Sequence, residues 1–382
     1  MEEMKILVGL SGGVDSAVAA YLLKQQGYDL SCAFMRNWDS AAEDDYNGNP
    51  TVADPICPQE QDFLDAKAVA DKLGIELLRI DFVKEYWDDV FHTFLNEYKR
   101  GRTPNPDILC NQHIKFGSFW QFAKENGFDT LATGHYARMD QRNSRPVLCK
   151  ADDRNKDQSY FLCQVQRPML DHILFPLGSI TKPEVRRIAA ELNLDSVARK
   201  KDSTGICFIG ERRFREFLSN YLPMQPGDII NVDNQSVVGR HKGVLYYTMG
   251  QRKGLDIGGT GPYYVCGKDV AANELYVCDE KHQHWLYSDA CTVRSLNWLA
   301  DCPETVSCMA KFRYRQPDLP VRLMKQEDGS IRCEYPETIR SVTPGQEAVF
   351  YLDDMVLGGG VIDQVFCHDA DLMQSVRNKA HA

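Results

Sequence analysis

The stretch with the clearest chemistry in this chain is Ser11–Ser16, which directly follows the apolar run Ile6–Leu10. It predicts a strand, a turn with two adjacent glycines, and the start of a helix. The glycines open backbone conformations closed to other residues, so successive N–H groups can point into one phosphate-binding concavity beside the helix N-terminus. No Gly-Lys-Ser/Thr follows, which disfavours a kinase-type Walker loop. The simpler alternative is a tight turn in which Ser11 or Asp15 only caps the helix.

A second segment, Thr103–Asn111, places a carboxylate and a thiol three residues apart in a loop stiffened by two prolines. Rigid elements hold catalytic groups in place. Asp107 could relay a proton, and Cys110 stands just before a helical pattern whose dipole would stabilise its thiolate. A proline-stiffened turn with an N-capping Asp107 and a core Cys110 explains the same residues equally well. Spacing alone leaves both interpretations open.

A third candidate is Cys207, which stands between apolar residues and glycines in the segment 205–210. A cysteine flanked by Ile and Phe is usually packed and inert. By spacing alone, Cys207 does not differ from Cys32 or Cys163.

Length and composition describe a protein of 382 residues with a net charge of −10 and 13 cysteines. Two or three domains are expected at this length. The odd cysteine count and the absence of any Cys-x-x-Cys pair disfavour a disulfide framework and a structural zinc site. The N-terminus lacks the basic and apolar regions of a signal peptide, and no run reaches the roughly 18 apolar residues of a membrane span. We therefore expect a cytoplasmic protein with no membrane partner.

The acidic charge argues mildly against nucleic-acid binding, which lysines and arginines drive. Three local clusters, 199–201, 212–215 and 311–315, are nevertheless basic, and the last two contain aromatic residues that could stack on bases. They form either one basic surface or separate solvated faces.

Strand and helix patterns alternate along the first half of the chain, which is typical of a parallel sheet covered by helices on both faces. The strand patterns span 5–10, 29–36, 76–81 and 129–133, and the helical patterns lie near 15–26, 60–73, 82–99 and 114–126. They predict a Rossmann-like, doubly wound α/β domain. Ligands bind at the carboxyl ends of such strands, where Ser11–Ser16, Met35 and Gly134 would converge.

A change in texture after the first domain predicts further units. We expect a catalytic domain over 1–209, a small mixed α+β domain over 210–287, a C-terminal β-barrel over 288–368 and a loose polar tail over 369–382. The runs 305–313, 321–325, 331–335 and 348–352 predict barrel strands, and Val244–Tyr247 predicts a strand of the middle unit. The acidic stretch 37–58 is either an excursion from the first domain or a mobile lid.

Several motifs occur together: Ser11–Ser16, 105–107 with Cys110, 132–136, 156–160 and 205–208. The first resembles the pyrophosphate loop of the N-type ATP pyrophosphatases, which cleave ATP between its α and β phosphates to adenylate an oxygen of a second substrate. In combination the motifs resemble the tRNA-specific 2-thiouridylase family. The segments 246–255, 312–316 and 342–346 extend this resemblance over nearly the whole chain.

The resemblance implies an enzyme that replaces the C2 oxygen of the wobble uridine (U34) with sulfur in the tRNAs for Lys, Glu and Gln. ATP would adenylate the oxygen, and a persulfide sulfur would displace AMP. The implied cofactors are ATP and Mg²⁺, with the ion near Asp15 and no other fixed metal site. The implied partners are the anticodon stem-loop of tRNA, whose base must flip to be reached, and a sulfur donor, either a cysteine desulfurase or a sulfur-relay protein.

The resemblance also implies roles for individual residues. ATP would be bound by Gly9, Leu10, Ser11, Gly12, Gly13, Val14, Asp15, Ser16, Met35 and Gly134. The target base would meet Asn105, Pro106 and Asp107, with Cys110 as nucleophilic cysteine, Cys207 as persulfide carrier and Asp107 as candidate proton relay. Contacts to tRNA would come from His135, Lys156, Asp157, Gln158, Arg313, Tyr314 and Gln346. The mechanism also needs the two cysteine sulfurs to approach bonding distance in some conformation.

Other functions explain part of the sequence. A pyrophosphate-loop ligase with a small-molecule acceptor accounts for Ser11–Ser16 and the acidic charge, although not for the paired cysteines or the β-rich C-terminal part. A nucleotide-sensing binding module is the non-enzymatic alternative. Within the favoured class, sulfur travels by persulfide or through an iron–sulfur cluster. A cluster needs about three cysteine ligands, and only Cys110 and Cys207 lie in motif loops.

Overall fold

The computed structural model describes residues 4–198, 200, 207, 209–210, 212–258 and 261–382. Parts of two segments named above, the basic cluster 199–201 and the Cys207 motif 205–210, lie outside the described residues.

The chain forms the following strands: β1 (Lys5–Gly9), β2 (Asp29–Arg36), β3 (Glu76–Asp81), β4 (Thr130–Ala132), β5 (Ala137–Arg142), β6 (Arg145–Lys150), β7 (Ile173–Leu174), β8 (Gly227–Asn231), β9 (Val237–His241), β10 (Tyr264–Asp269), β11 (Glu274–Cys278), β12 (Tyr287–Trp298), β13 (Thr305–Lys311), β14 (Leu319–Lys325), β15 (Ile331–Arg340), β16 (Glu347–Leu352), β17 (Met355–Cys367) and β18 (Ala370–Asp371). The α-helices are α1 (Val14–Gln25), α2 (Pro58–Leu73), α3 (Val83–Glu85), α4 (His92–Lys99), α5 (Pro106–Cys110), α6 (Phe119–Glu125), α7 (Lys182–Glu191), α8 (Asp195–Ala198), α9 (Phe214–Leu218) and α10 (Leu372–Ala380). Wider π-helical segments join α3 to α4 (Tyr86–Phe91) and α5 to α6 (Asn111–Ser118). Short 3₁₀ helices occur at Ser159–Leu162, Arg167–His172, Val244–Tyr246 and Glu280–Leu286.

The first domain is built on a parallel sheet with strand order β3-β2-β1-β4-β7. Side chains alternate between the two faces of a strand. Accordingly, Ile6 and Val8 of β1 pack with α1, α2 and α7, whereas Leu7 packs with the helices between Tyr86 and Ala123 on the opposite face. Helices therefore cover both faces, and the doubly wound fold predicted from the sequence is confirmed.

The middle unit contains a four-stranded sheet with order β10-β11-β8-β9. The strand predicted at Val244–Tyr247 is wrong, because Val244–Tyr246 forms a 3₁₀ turn after Gly243. All of its side chains are buried, and the Tyr246 hydroxyl donates to the Leu222 carbonyl over 2.7 Å. A short run that is buried on every side carries no periodicity, so its sequence does not separate a strand from a helical turn.

The C-terminal unit is a closed six-strand barrel. Its strands follow the order β12-β15-β14-β13-β16-β17, and β17 pairs with β12 to close the ring. The predicted barrel is thereby confirmed. The sequence did not predict its two longest strands, β12 and β17. The β5/β6 hairpin of the first domain pairs with β17 through Cys149 and Met355.

The end of the chain is not the loose tail expected for 369–382. It forms β18 and then α10, whose first turn is capped by the Asp371 carboxylate accepting from the Gln374 N–H over 2.9 Å. Leu372, Val376 and Ala380 recur every four residues and are buried. This apolar stripe fixes the helix against the middle and barrel units, despite its otherwise polar composition. Within the described residues, no helix is both long and apolar enough to cross a membrane.

Candidate active site

The glycine loop after β1 is closed by its own serines. The Ser11 backbone N–H donates to the Ser16 hydroxyl over 3.1 Å, and that hydroxyl lies 3.1 Å from the Gly13 carbonyl oxygen, to which it donates. Gly12 has a φ of +72°, and a Cβ added there would lie 2.2 Å from the Asp62 carbonyl oxygen. Only glycine fits this close approach, which brings the loop directly against helix α2.

The predicted convergence of three strand ends on this loop is present in the structure. Met35 is buried at the end of β2, and its methyl group would lie 3.6 Å from a Cβ added at Gly9. After β4, a Cβ at Gly134 would lie 2.7 Å from the Ser16 nitrogen. Gly134 therefore lets the strand approach the first turn of α1, and these residues form one crevice at the carboxyl edge of the sheet.

Two lysines that the sequence reasoning did not assign to the site stabilise the loop. Lys182 Nζ lies 2.7 Å from an oxygen of Asp15, which also accepts from the Tyr136 hydroxyl over 2.9 Å. Lys200 Nζ donates to the Gly12 carbonyl over 3.1 Å and pairs with Asp65 on α2 at 2.8 Å. Both lysines are paired with carboxylates, Lys182 with Asp15 and Lys200 with Asp62 and Asp65, so they fix the loop in place without adding net positive charge.

Asp15 is the carboxylate of the glycine loop that could hold a magnesium ion. Asp15 offers one carboxylate, and Lys182 already occupies both of its oxygens at 2.7 and 2.8 Å. Among the described residues this loop has no cluster of three metal-ligating side chains. The described residues of this loop therefore do not form a magnesium site of their own.

The cysteines at 110 and 207, far apart in sequence, form a thiol pair with their sulfurs 3.4 Å apart. The Asp107 carboxylate accepts from the Cys207 backbone N–H over 3.0 Å. The Tyr86 hydroxyl, from the π-helical segment, donates to the Cys207 carbonyl over 2.8 Å. Three segments thus converge on one thiol pair, and the proximity expected for a persulfide mechanism is found.

The local sequence explains how α5 presents these groups. Asn105 caps the helix by accepting from the Asp107 N–H over 3.1 Å, and Pro106 occupies the first helical position. The alternative in which Asp107 itself caps the helix is therefore wrong. Asp107 is free to hold the Cys207 backbone, while Cys110, three residues later, points into the interior and is fully buried.

The environments of the two thiols differ. Burial raises the pKa of Cys110 well above its usual value, and the hydrogen bond with Cys207 raises it further. The pKa of Cys207 is lowered, first by its hydrogen bond with Cys110 and then by the positive charge of Lys115. Burial also raises the pKa of Asp107, which makes this carboxyl group a better proton carrier near neutral pH. The thiolate is therefore favoured at Cys207, and the neutral thiol at Cys110.

The glycine loop and the thiol pair belong to one site. Gly134 touches Ser16 of the loop, and the next residue, His135, lies with its Nε2 3.4 Å from the ammonium of Lys115. Lys115 in turn lies within hydrogen-bonding reach of the Cys207 thiol. The glycine loop and the thiol pair are therefore linked through Gly134, His135 and Lys115.

The chain is similar to known proteins over nearly its full length. Residues 4–211 match a family model described as tRNA methyl transferase HUP domain, residues 215–279 a PRC-barrel domain of the same series, and residues 288–362 an aminomethyltransferase beta-barrel domain. The tRNA-specific 2-thiouridylase MnmA of Mycoplasma capricolum is 53% identical over 373 residues, covering 95% of this chain and 99% of that protein. The protein of the same name from Mesoplasma florum is 54% identical over 371 residues (94% and 99%), and that from Pectobacterium carotovorum is 49% identical over 370 residues (95% and 98%).

The chain belongs to the tRNA-specific 2-thiouridylase family. The three matched regions coincide with the parallel-sheet domain, the small mixed unit and the barrel of the structure. The sequence-based recognition of the 2-thiouridylase family is thereby confirmed.

Several residues that the 2-thiouridylase resemblance assigns to tRNA are engaged inside the protein. Asp157 is buried and accepts from the backbone N–H and the hydroxyl of Ser159 over 3.2 and 3.0 Å. Gln158 accepts from the Tyr136 N–H over 2.9 Å, and Lys156 is half-buried. These contacts give Asp157 and Gln158 a structural part, and their contact with tRNA stays a prediction.

The three C-terminal tRNA candidates lie where the barrel meets the first two units. Gln346 donates to the Thr103 carbonyl over 2.6 Å, at the start of the segment that leads to Asp107. The Arg313 guanidinium donates to carbonyl and hydroxyl oxygens at the edge of the barrel. Tyr314 packs on Phe161 with ring centroids 4.4 Å apart. The barrel therefore supports the segment Thr103–Asn111 directly, and contact of these residues with tRNA stays a prediction.

The acidic stretch 37–58 is anchored to the middle unit. Its Asp45 forms an ion pair with Arg212 over 2.7 Å, and the side chains are 0% and 4% exposed. A Cβ at Gly48 would lie 2.6 Å from the Phe217 nitrogen, so the segment packs tightly on α9. Arg212, counted in a basic cluster by sequence, is consequently buried, and that cluster does not form a continuous exposed surface.

Proposed function

We propose that this chain catalyses ATP-dependent 2-thiolation of the wobble uridine of the tRNAs for Lys, Glu and Gln. One observation carries the proposal. Consecutive residues, Gly134 and His135, touch the glycine loop on one side and the surroundings of the thiol pair on the other. This arrangement supports activation of an oxygen and delivery of sulfur within a single crevice. The small-molecule ligase is not favoured. Relatives that are between 49% and 54% identical to this chain over nearly its full length are named for tRNA thiolation.

The first step is adenylation. The loop 11–16 would bind the phosphates of ATP, with Met35 and Gly134 near the adenosine, and Mg²⁺ would enter bound to the phosphates of the nucleotide. The C2 oxygen of a flipped uridine attacks the α-phosphate, and pyrophosphate leaves. A carbonyl oxygen is a poor leaving group, whereas AMP is a good one, so this step prepares the carbon for a sulfur nucleophile.

Sulfur transfer then uses the two thiols in different roles. A persulfide on Cys207 attacks C2 through its outer sulfur, and the bond from C2 to the AMP oxygen breaks. The Cys110 sulfur, 3.4 Å away, next attacks the inner sulfur of Cys207. The sulfur–sulfur bond to the base breaks, 2-thiouridine is released, and a Cys110–Cys207 disulfide remains. An external dithiol must supply two electrons to restore both thiols.

Asp107 is the proposed proton relay. Its raised pKa suits a group that takes the proton of Cys110 as that thiol attacks and returns it to solvent afterwards. Asn105 and Pro106, on the same turn, would meet the target base. The residues at the barrel edge and on the loop 156–158 would hold the anticodon stem-loop.

The persulfide route is proposed over an iron–sulfur cluster. In the described part of the crevice the structure brings together two cysteine sulfurs, whereas a cluster is usually held by about three or four. The sulfur would come from a cysteine desulfurase or a relay protein that reaches Cys207. Metal analysis of anaerobically purified protein tests this choice, because iron and sulfide bound at stoichiometric amounts would overturn it.

The function is tested by incubating the protein with tRNA, ATP, Mg²⁺ and a persulfide source, followed by mass spectrometry of the tRNA nucleosides. We expect 2-thiouridine, with release of pyrophosphate that depends on tRNA. Cys207→Ser protein should release pyrophosphate without incorporating sulfur. Pyrophosphate release that depends on a small molecule and not on tRNA would favour the ligase, and binding of ATP without pyrophosphate release would favour a nucleotide sensor.

A further inference from the structure

Among the described residues, Lys115 is the cation that faces the thiol pair, from the π-helical segment Asn111–Ser118. Its ammonium is within hydrogen-bonding reach of the Cys207 thiol and interacts with Cys110 and Asp107. The sequence alone gave no reason, by residue type or by spacing, to assign Lys115 to the site. The contact with a reacting sulfur makes Lys115 part of the chemistry of the site, and the nature of that part follows from its surroundings.

The π-helical segment is what brings Lys115 to the thiols. In a regular α-helix, residues five apart point about 140° away from each other. Lys115 follows Cys110 by five positions, so a regular helix would direct the two side chains to different faces. The hydrogen bonds of a π-helix join residues five apart, which widens each turn and brings such residues closer to one face. The wider turn Asn111–Ser118 therefore serves the placement of this lysine.

His135 holds the ammonium from the other side. Burial and the positive charge of Lys115 lower the pKa of His135 well below its usual value, so the imidazole is neutral. Its Nδ1 lies 2.7 Å from the Thr133 hydroxyl, and its Nε2 lies 3.4 Å from Lys115 Nζ. A neutral imidazole whose Nδ1–H donates to Thr133 leaves Nε2 as an acceptor for the ammonium. His135, assigned to tRNA by resemblance, is thus a positioning residue for Lys115.

Within the part of the chain that the structure describes, the other ionisable groups facing Cys207 do not supply a positive charge. Tyr86 is fully buried and neutral, because burial raises its pKa well above the usual value. Asp107 carries a raised pKa, and Cys110 retains its proton. Burial alone would lower the pKa of Lys115, but the neighbouring Cys207, Cys110 and Asp107 raise it above its ordinary value. Lys115 therefore stays protonated, as the one cation among these described groups around the sulfur.

We propose that the Lys115 ammonium, held in place by His135, keeps the Cys207 sulfur in its thiolate form and so selects Cys207 over Cys110 as the sulfur that is loaded. This inference rests on the proposed thiolation, which it deepens by assigning a cation that adds to the hydrogen bond with Cys110 in favouring the thiolate at Cys207. Loading is then an exchange without net oxidation. The Cys207 thiolate attacks the outer sulfur of a donor persulfide, the donor's sulfur–sulfur bond breaks, and the donor leaves as a thiol with the proton of its persulfide. The new persulfide anion on Cys207 remains next to the same ammonium.

The test measures the thiolate directly and uses neither tRNA nor ATP. The full-length protein is treated with iodoacetamide over a pH series, and alkylation of each cysteine is followed by mass spectrometry of peptides. We expect Lys115→Met to slow alkylation of Cys207 by at least about tenfold at neutral pH and to move the midpoint of its pH profile upward by at least about one unit. Lys115→Arg, which retains the charge, should restore most of the rate.

Two internal controls isolate the effect. The exposed Cys57 should react at the same rate in every variant. Lys124→Met, which removes an exposed lysine from the neighbouring helix α6, should leave the Cys207 profile unchanged. Thermal unfolding of each variant shows whether it remains folded. An unchanged Cys207 profile in folded Lys115→Met protein would overturn the proposal, even if the protein thiolates tRNA.

A measurement on the unmodified protein keeps the proposal testable if Lys115→Met fails to fold. Thiolates absorb in the ultraviolet where thiols do not, so the difference between the protein and its Cys207→Ser variant reports the charge on Cys207. We expect a thiolate at neutral pH that titrates below the range of ordinary cysteines. A titration at or above that range contradicts the proposed role of Lys115.

Discussion

Removal of the Asp45 carboxylate should detach the acidic segment 37–58 from the middle unit. One oxygen of Asp45 accepts from the Trp38 indole N–H over 3.0 Å and lies 2.7 Å from Arg212 Nη2. The Arg212 side chain is 4% exposed, so Asp45→Ala leaves a buried guanidinium without its carboxylate. Breaking such a pair costs about 3–5 kcal/mol. Since about 1.4 kcal/mol is a factor of ten, the open population of the segment should rise between about a hundredfold and a few thousandfold.

Hydrogen exchange of the segment 38–50 in native protein measures this opening, with Asp44→Asn as a matched control, because Asp44 is exposed and asparagine tolerates its φ of +51°. The double variant Asp45→Leu with Arg212→Met should exchange more slowly than Asp45→Ala, since it removes both buried charges. An Asp45→Ala protein that exchanges this segment within about threefold of the unmodified protein would refute the reasoning. The single variants Asp45→Leu and Arg212→Met complete the comparison. If the double variant opens by the product of their two separate effects, the two side chains do not act as a pair.

The segment matters for activity because Trp38 packs on Tyr86, with ring centroids 6.1 Å apart. Tyr86 donates to the Cys207 carbonyl, so loosening Trp38 loosens the backbone that carries the thiol. We therefore expect Asp45→Ala to lower the rate of sulfur transfer more than the rate of pyrophosphate release. Equal losses in both steps would place the effect elsewhere.

Three further predictions concern the loop, the thiols and a buried lysine. Gly134→Ala would place a Cβ 2.7 Å from the Ser16 nitrogen, and it should raise the KM for ATP by at least about tenfold. Gly258→Ala is the control, because its Cβ would meet nothing within 4 Å and should leave the KM unchanged. An unchanged KM in Gly134→Ala protein would show that the strand end does not support the loop. Mild oxidation should trap a Cys110–Cys207 disulfide, detected in non-reduced peptides, and exclusive formation of other pairs would count against the proposed resolving step. Burial lowers the pKa of Lys268 to about 7. The unfolded chain then binds more protons between about pH 7 and pH 10, so stability should rise with pH across that window. Lys268→Met should reduce this rise in melting temperature, and an identical slope would contradict the burial.

The sequence was sufficient for the features that depend on local pattern. The alternating apolar strands and the glycine loop predicted the parallel sheet and the crevice at its edge, because each is fixed by side-chain period and backbone freedom. The family motifs predicted that Cys110 and Cys207 lie close together, and their sulfurs are 3.4 Å apart in the structure.

The features that sequence reasoning missed depend on irregular geometry or on distant partners. Lys115 reaches the thiols through π-helical turns, which a pattern based on regular helices does not foresee. Lys182 meets Asp15 across the first domain, and no local signal marks that pair. The helix α10 could have been found, since Leu372, Val376 and Ala380 recur at helical spacing, but the polar residues between them obscured the stripe.

We propose that one crevice activates the uridine with ATP and then delivers sulfur from Cys207. The most direct test is a single-turnover reaction in which protein carrying labelled persulfide on Cys207 is mixed with tRNA and ATP, and the label is followed into 2-thiouridine. We expect label in the tRNA only when ATP is present, and we expect Cys110→Ser protein to leave the label attached to both protein and base. Label transferred without ATP, or unlabelled 2-thiouridine formed at full rate by Cys207→Ser protein, would contradict it.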